Sequence, residues 1–306
     1  VIRGAVAVDI LTCTVDGIGS RTGPPRNSPL AVAGVLALVL TVVGVTALAG
    51  RATVRVAGTA AADPAAAAVA AAPVAPRSRP AGEPLLSGDL VLGEVVCVLP
   101  DLGATNARLR AFHSAALDCL GEAWRPALRA SGATFTQARL EIDPGPGSAC
   151  GKTPGEDQAT AFYCGREETI YLPRRRVLDH LGLHVPAHLA VLAHEYGHHV
   201  QERGGILDAA GRRLRHLGQG TPAELRLTRR LELQANCFAG LFLASVAGRG
   251  SVTTAQAEEA LADFRHGVDS ETHGTVANQL RWARTGFTGT SVAACDTWRA
   301  PAHAVR

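Results

Sequence analysis

Apolar positions recur at helical spacing through most of the C-terminal two thirds of the chain. The first such stretch covers 106–128, where Leu109, Phe112, Ala116, Leu120 and Trp124 share one face and Pro126 is expected to bend the end. Shorter apolar runs at 138–142, 161–164 and 169–172 read as strands, separated by Gly/Pro-rich turns such as Pro144-Gly145-Pro146-Gly147. Beyond them the periodicity is helical over 186–202, 223–246, 254–266 and 276–284. Strands first and helices after predict an α+β fold.

Upstream the pattern changes. Residues 30–49 read LAVAGVLALVLTVVGVTALA without a charge. At about 1.5 Å per residue they are long enough to cross the hydrocarbon of a bilayer. This predicts a single transmembrane anchor over 29–50, with 1–28 as a short cytoplasmic segment. Ala47-Leu48-Ala49 also resembles a signal-peptidase site, but the apolar core of a signal peptide usually runs only ~7–15 residues. Residues 51–86 are rich in Ala and Pro and read as an extended linker. A globular domain is expected over 87–299, followed by a tail at 300–306.

Composition refines this picture. The 306 residues are 47% hydrophobic and 19% charged, which excludes a wholly disordered chain. The net charge of +3 comes from scattered arginines, too weak a balance to imply a nucleic-acid partner. Arginines flank the apolar span on both sides and leave its orientation open. The cysteines decide it: six of seven (Cys97, Cys119, Cys150, Cys164, Cys237, Cys295) lie in the expected domain and no C-x-x-C pair occurs. An even set of this kind suggests disulfides in an oxidising, extracytoplasmic compartment. Cys150 with Cys164 is the preferred pair because the two flank a short segment leading into a strand. Cys237 with Cys295 and Cys97 with Cys119 follow by elimination, and Cys13 would lie on the reducing side.

The chemistry concentrates in HEYGHHVQ at 194–201. His194 and His198 are four apart on a helix, so both imidazoles can grip one ion while Glu195 stands beside the open position. By chance, this composition yields H-E-x-x-H about 0.02 times per chain. The preceding Leu189 to Ala193 are apolar, so the polar residues enter from a buried helix and need a partner. A catalytic zinc takes three protein ligands. Glu232 is the candidate third, because it is the sole carboxylate in the apolar stretch LELQANCFAGLFLASVAG; the bland alternative is a salt bridge to Arg229. Asn236, one turn on, could orient a zinc-bound histidine through its amide oxygen.

SACG at 148–151, FYC at 162–164, TIYL at 169–172, AHEYGHHVQ at 193–201, LELQANCFAG at 231–240, THG at 272–274 and CDTW at 295–298 follow one another in order. In these segments the chain resembles the putative neutral zinc metallopeptidases, membrane-anchored bacterial proteins of the zincin type. The resemblance covers roughly 88–298. It implies a zincin-like fold with a small antiparallel sheet, His194, His198 and Glu232 as zinc ligands, and Glu195 as general base. It also implies that an edge strand around Thr169 to Leu172 pairs with an extended peptide substrate. The chain departs from the family at Asn236, where the pattern has Asp, a change that bears on catalytic vigour more than on zinc binding.

The expected reaction is hydrolysis of a peptide bond, Glu195 taking the proton of the attacking water and giving it to the leaving amine. His273 is the candidate stabiliser of the oxyanion, with Tyr196 and His199 as rivals inside the motif. Two further readings stand beside a membrane-anchored endopeptidase: a weak or inactive zinc-binding interaction module of the cell envelope, and a structural protein in which the polar helix merely packs. Arg174-Arg175-Arg176 reads as a solvated face or a helix start. His180, His184 and His188 read as surface residues rather than a second metal stripe, and Trp282 and Trp298 as core aromatics.

Overall fold

The computed structural model describes residues 84–143, 149–151, 154–155 and 159–306. The expected N-terminal segment, the anchor, nearly all of the linker and Cys13 lie outside the described residues. Among the described residues no helix is long and apolar enough to cross a membrane.

Threonine caps start four of the helices. Thr105 accepts from the Arg108 N–H at 3.3 Å to open α1 (Asn106–Ala130), whose buried face carries Leu109, Phe112, Leu120 and Trp124. Pro126 deprives the Glu122 carbonyl of its helical donor, but both residues are exposed and the helix runs on to Ala130. Three short strands follow: β1 (Arg139–Glu141), β2 (Phe162–Cys164) and β3 (Thr169–Tyr171). Their order is β1-β3-β2, with β2 antiparallel and β1 parallel to β3. The sheet is therefore mixed, not antiparallel as expected. The tight β2 to β3 turn forces one antiparallel pair, while the long connection after β1 frees it to join the other side of β3 in parallel.

Helices then dominate: α2 (Arg174–Leu181), α3 (Val185–Arg203), α4 (Ile206–Leu214), α5 (Pro222–Val246), α6 (Thr254–Asp263) and α7 (Val276–Thr288). Prolines stand in the first turns of α3 and α5, where a missing N–H does no harm. Thr221, Thr253 and Thr275 cap α5, α6 and α7. The expected helix over 254–266 ends as a 3-10 turn, Phe264–His266. With seven helices and three strands, the described residues form an α+β fold.

The core lies where α5 crosses α3 and α7. From Leu231 to Leu243 every residue of α5 is buried, and so is every residue of α3 from Pro186 to Gln201. Such contact demands glycine. A Cβ on Gly197 would stand 2.9 Å from the Ala235 carbonyl oxygen and 3.0 Å from the Ala235 Cα, and the approach of α5 to α7 is closer still, a Cβ on Gly240 falling against the Ala283 carbonyl oxygen and one on Gly286 against that of Cys237. Three disulfides reinforce the frame, pairing as expected: Cys97–Cys119, Cys150–Cys164 and Cys237–Cys295. The last one joins α5 to the 3-10 turn Val292–Cys295.

A second histidine pair ties α1 to α3. His113 Nε2 and His188 Nδ1 meet at 3.1 Å, while His113 Nδ1 faces the Leu109 carbonyl at 2.8 Å and His188 Nε2 the Gly182 carbonyl at 3.0 Å. His188 is thus buried, not on the surface as expected. Its fellows diverge, His180 toward the Thr160 hydroxyl and His184 toward Glu259, so no second metal stripe forms.

Gly197→Ala should push α3 off α5. We expect a loss of about 1–3 kcal/mol in denaturant unfolding, with Gly211→Ala, a helical position of α4 where a Cβ would meet nothing closer than the Arg215 guanidinium at 3.9 Å, as a control for the glycine's own entropy.

Candidate metal centre

Two helices carry the site. On α3, His194 and His198 lie one turn apart, their Nε2 atoms 3.2 Å from each other. From α5, Glu232 places Oε2 3.3 Å from His194 Nε2 and 3.4 Å from His198 Nε2. The Gly197 approach brings these elements together, since the Ala235 backbone it touches lies within a turn of both Glu232 and Asn236. The ligating atoms of His194, His198 and Glu232 all fall within 4.8 Å of one another, close enough to share one ion.

The outer hydrogen bonds fix how the rings face. His194 Nδ1 donates to Asn236 Oδ1 at 2.6 Å, and His198 Nδ1 donates to Gln201 Oε1 at 2.9 Å. Gln201 in turn donates to the Leu231 carbonyl at 2.8 Å and to Gln234 Oε1 at 3.1 Å; Gln234 donates to the Cys295 carbonyl at 3.0 Å. This relay leaves each Nε2 bare and turned inward. Two imidazole nitrogens and a carboxylate oxygen then share one buried pocket. That arrangement repels itself unless a cation lies between the groups. Both Glu232 oxygens lack a hydrogen bond, as do both Glu195 oxygens, and all four atoms are buried. A divalent ion answers each of these features, so the residues fit a metal.

Burial opposes charge on His198, yet the Glu232 carboxylate beside it raises its pKa to about 9. Burial pushes Glu232 up too, but His273 and His198 outweigh it and hold the group well below the usual carboxylate range. Burial lifts Glu195 to about 8, further raised by Glu232 and drawn partly back by His198 and the Tyr163 main-chain amide. His194 is driven down, by burial first, and stays neutral.

His273 reaches the same centre from the loop before α7. Its Nε2 lies 3.3 Å from Glu232 Oε2, and its Nδ1 faces the Thr272 hydroxyl at 2.9 Å. The Ser270 hydroxyl accepts the His273 main-chain N–H at 2.9 Å, and left-handed Gly274 turns the chain just beyond. Tyr196 and His199 point elsewhere. The Tyr196 hydroxyl donates to Gln137 Oε1 at 2.9 Å, and His199 is held between the Tyr163 hydroxyl at 3.0 Å and the Thr136 carbonyl at 2.9 Å. Both sit on the far face of α3 as packing groups. The salt bridge weighed for Glu232 is not made either, for Arg229 donates instead to the Val305 and Glu271 carbonyls.

One expectation needs correction. The segment around Thr169 to Leu172 is β3, the middle strand, paired on both sides, so it offers no edge to a substrate. β2 is the strand whose main chain approaches Glu195. Gln201 and Gln234 escaped the sequence reading, although Gln201 lies three residues after His198, within reach of its ring on the same helix.

A family model described as putative neutral zinc metallopeptidase matches residues 101–298, well over half of the chain. The chain belongs to this family. Among curated relatives it is 33% identical over 208 residues to Uncharacterized protein YpfJ of Escherichia coli (strain K12), covering 61% of this chain and 70% of that one. It is 27% identical over 207 residues to Uncharacterized protein Rv2575 of Mycobacterium tuberculosis (strain ATCC 25618 / H37Rv), covering 58% and 66%. No solved structure matches the chain.

Two measurements check this electrostatic picture. Glu195 and His198 hold protons in the folded metal-free protein above their ordinary values of 4.5 and 6.5. Their contribution to stability is therefore present at low pH and lost as pH rises through about 8 and about 9. Stripped protein should thus be less stable to denaturant at pH 9 than at pH 7, and Glu195→Gln should shrink the difference. Gln201→Leu, by freeing the His198 ring, should weaken zinc binding ~10–100-fold in a chelator competition.

Proposed function

We propose that the protein is a zinc-dependent endopeptidase and that His194, His198 and Glu232 hold the ion. The observation that carries this reading is the convergence of two imidazoles and one carboxylate beside a second buried carboxylate, Glu195, that no side chain hydrogen-bonds. When bound, zinc would supply a Lewis acid that polarises a carbonyl and acidifies water. The chain's own groups supply the rest. Asn236 and Gln201 keep the Nε2 atoms aimed inward, and Glu232 balances part of the ion's charge. Glu195, raised toward neutrality by burial, is suited to accept a proton from water on a carboxylate oxygen and deliver it to the leaving nitrogen. His273 would donate from Nε2 to the oxygen on which charge develops. An extended peptide would lie along β2.

Asn236 supports activity rather than its loss. Its amide oxygen makes the 2.6 Å bond to His194 Nδ1 that an aspartate would make, without adding charge. The zincin-like architecture is inferred from the family and the α3 motif. The three disulfides support a location outside the cytoplasm. The anchor rests on the apolar sequence at 30–49. A second reading has a specific observation behind it: His273 lies as near Glu232 Oε2 as His194 does. Were it a fourth ligand, it would close the site and leave a zinc-binding module.

Zinc content and hydrolysis of a mixed peptide substrate separate these readings. We expect one zinc per chain and cleavage by the wild type, full zinc but a drop in rate of at least about a thousandfold in Glu195→Gln, and loss of zinc in Glu232→Ala. His273→Ala should keep zinc and lose rate by about 10²–10³. Loss of zinc in His273→Ala, with no cleavage by the wild type, would favour the module. Equal rates in wild type and Glu195→Gln would exclude the proposed base.

A further inference from the structure

A narrow cleft open to solvent adjoins the metal centre on the side of His194 and Glu195. Its walls are apolar where Ala190 and Val191 of α3 face Phe264. Asp263 also lines it. The placement of this residue is unfavourable on three counts. It is the last residue of α6, where a negative charge meets the negative end of the helix dipole. It is half-buried, and that burial raises its pKa above the ordinary aspartate value. Finally, its carboxylate caps nothing in the following 3-10 turn and makes no hydrogen bond or ion pair among the described residues.

His266, His184 and Arg265 draw the Asp263 pKa partly back down, but none of them makes a hydrogen bond or ion pair with its carboxylate. His184 is engaged with Glu259 at 3.0 Å, and His266 accepts a hydrogen bond from Arg265 Nε at 3.2 Å. Glu259 adds further negative charge. A half-buried carboxylate left in this state beside an apolar cleft is matched by a ligand with a long aliphatic stem and a cationic head. The cleft opens next to the group proposed to act on water, so what it accepts must be close to the bond being cut.

We infer that this cleft receives the side chain of the substrate residue adjoining the scissile bond, and that Asp263 makes it select lysine or arginine. The stem lies along Ala190, Val191 and Phe264, and the head pairs with the Asp263 carboxylate. The inference rests on the peptidase reading and deepens it by naming what the enzyme prefers to cut. Asp263 is a specificity determinant, remote from the proton transfers assigned to Glu195.

The test uses the full chain loaded with zinc. Fluorescent peptides differing at a single position, Arg, norleucine or Glu, are titrated into Glu195→Gln and into Glu195→Gln with Asp263→Asn, and a peptide library is digested with the wild type and with Asp263→Asn. We expect Arg to bind about tenfold more tightly than norleucine, the worth of one partly buried ion pair, and Glu to bind most weakly. Asp263→Asn should bring Arg within about twofold of norleucine and leave norleucine binding unchanged. In digestion it should remove the preference for basic residues through KM, with kcat unaltered. Should Asp263→Asn fold poorly, Asp263→Lys gives an independent reading, because it should invert the preference toward Glu. An undiminished Arg preference in these variants, or a preference for apolar or acidic residues in the parent, overturns the assignment. Arg-selective binding without any cleavage by the wild type would keep the cleft and discard the peptidase. Cleavage without basic preference would do the reverse, and no binding of any peptide would discard both.

Discussion

The structure turns on a single buried carboxylate oxygen. Glu232 Oε2 has three imidazole Nε2 atoms, those of His194, His198 and His273, within 3.4 Å. Oxygen and nitrogen lone pairs converge on a space from which water is largely excluded. Such a cluster is unstable without positive charge at its centre, and the folded chain itself offers only the pull of His273 and His198 on the Glu232 carboxylate. Everything around the cluster makes sense as a means of holding these groups together despite their repulsion.

That holding is done by packing and by directed hydrogen bonds. α3 is buried over most of its length, and of the polar residues it carries inward His194, His198 and Gln201 are each held by a specific partner, while the Glu195 carboxylate is left toward the site. His198 is fixed through Gln201 and Gln234 to the Cys295 carbonyl, at the residue that the Cys237–Cys295 disulfide locks to α5. His194 is fixed by Asn236, one turn from Glu232 on the same helix. The two helices can meet at this depth because Gly197 stands opposite Ala235. Orientation of the rings, closeness of the helices and charge at the centre are thus one problem with one solution.

Much of this was legible in the sequence. Spacing alone placed His194, Glu195 and His198 on one helix, and the isolation of Glu232 in an apolar stretch marked it as needing a cation. The five long helical periods and three strands lie where the apolar pattern put them, to within a few residues. What escaped has physical causes. α2 buries only Val177, so its eight residues give almost no periodic signal. α4 follows Gly204 and the left-handed Gly205, which read as a turn. Sheet order depends on how long connections fold back, so β3 was mistaken for an edge. His188 looked like one of three surface histidines because its partner, His113, is 75 residues away. Gln201 and Gln234 were invisible for a similar reason: an amide signals a role only when its partners are known.

The most direct test of the central claim is anomalous scattering at the zinc edge from crystals of the zinc-loaded chain. The account predicts one strong peak per chain, within bonding distance of His194 Nε2, His198 Nε2 and a Glu232 carboxylate oxygen, with Glu195 adjacent and unbonded to the ion. A peak elsewhere on the molecule, or none at this cluster under saturating zinc, would contradict it.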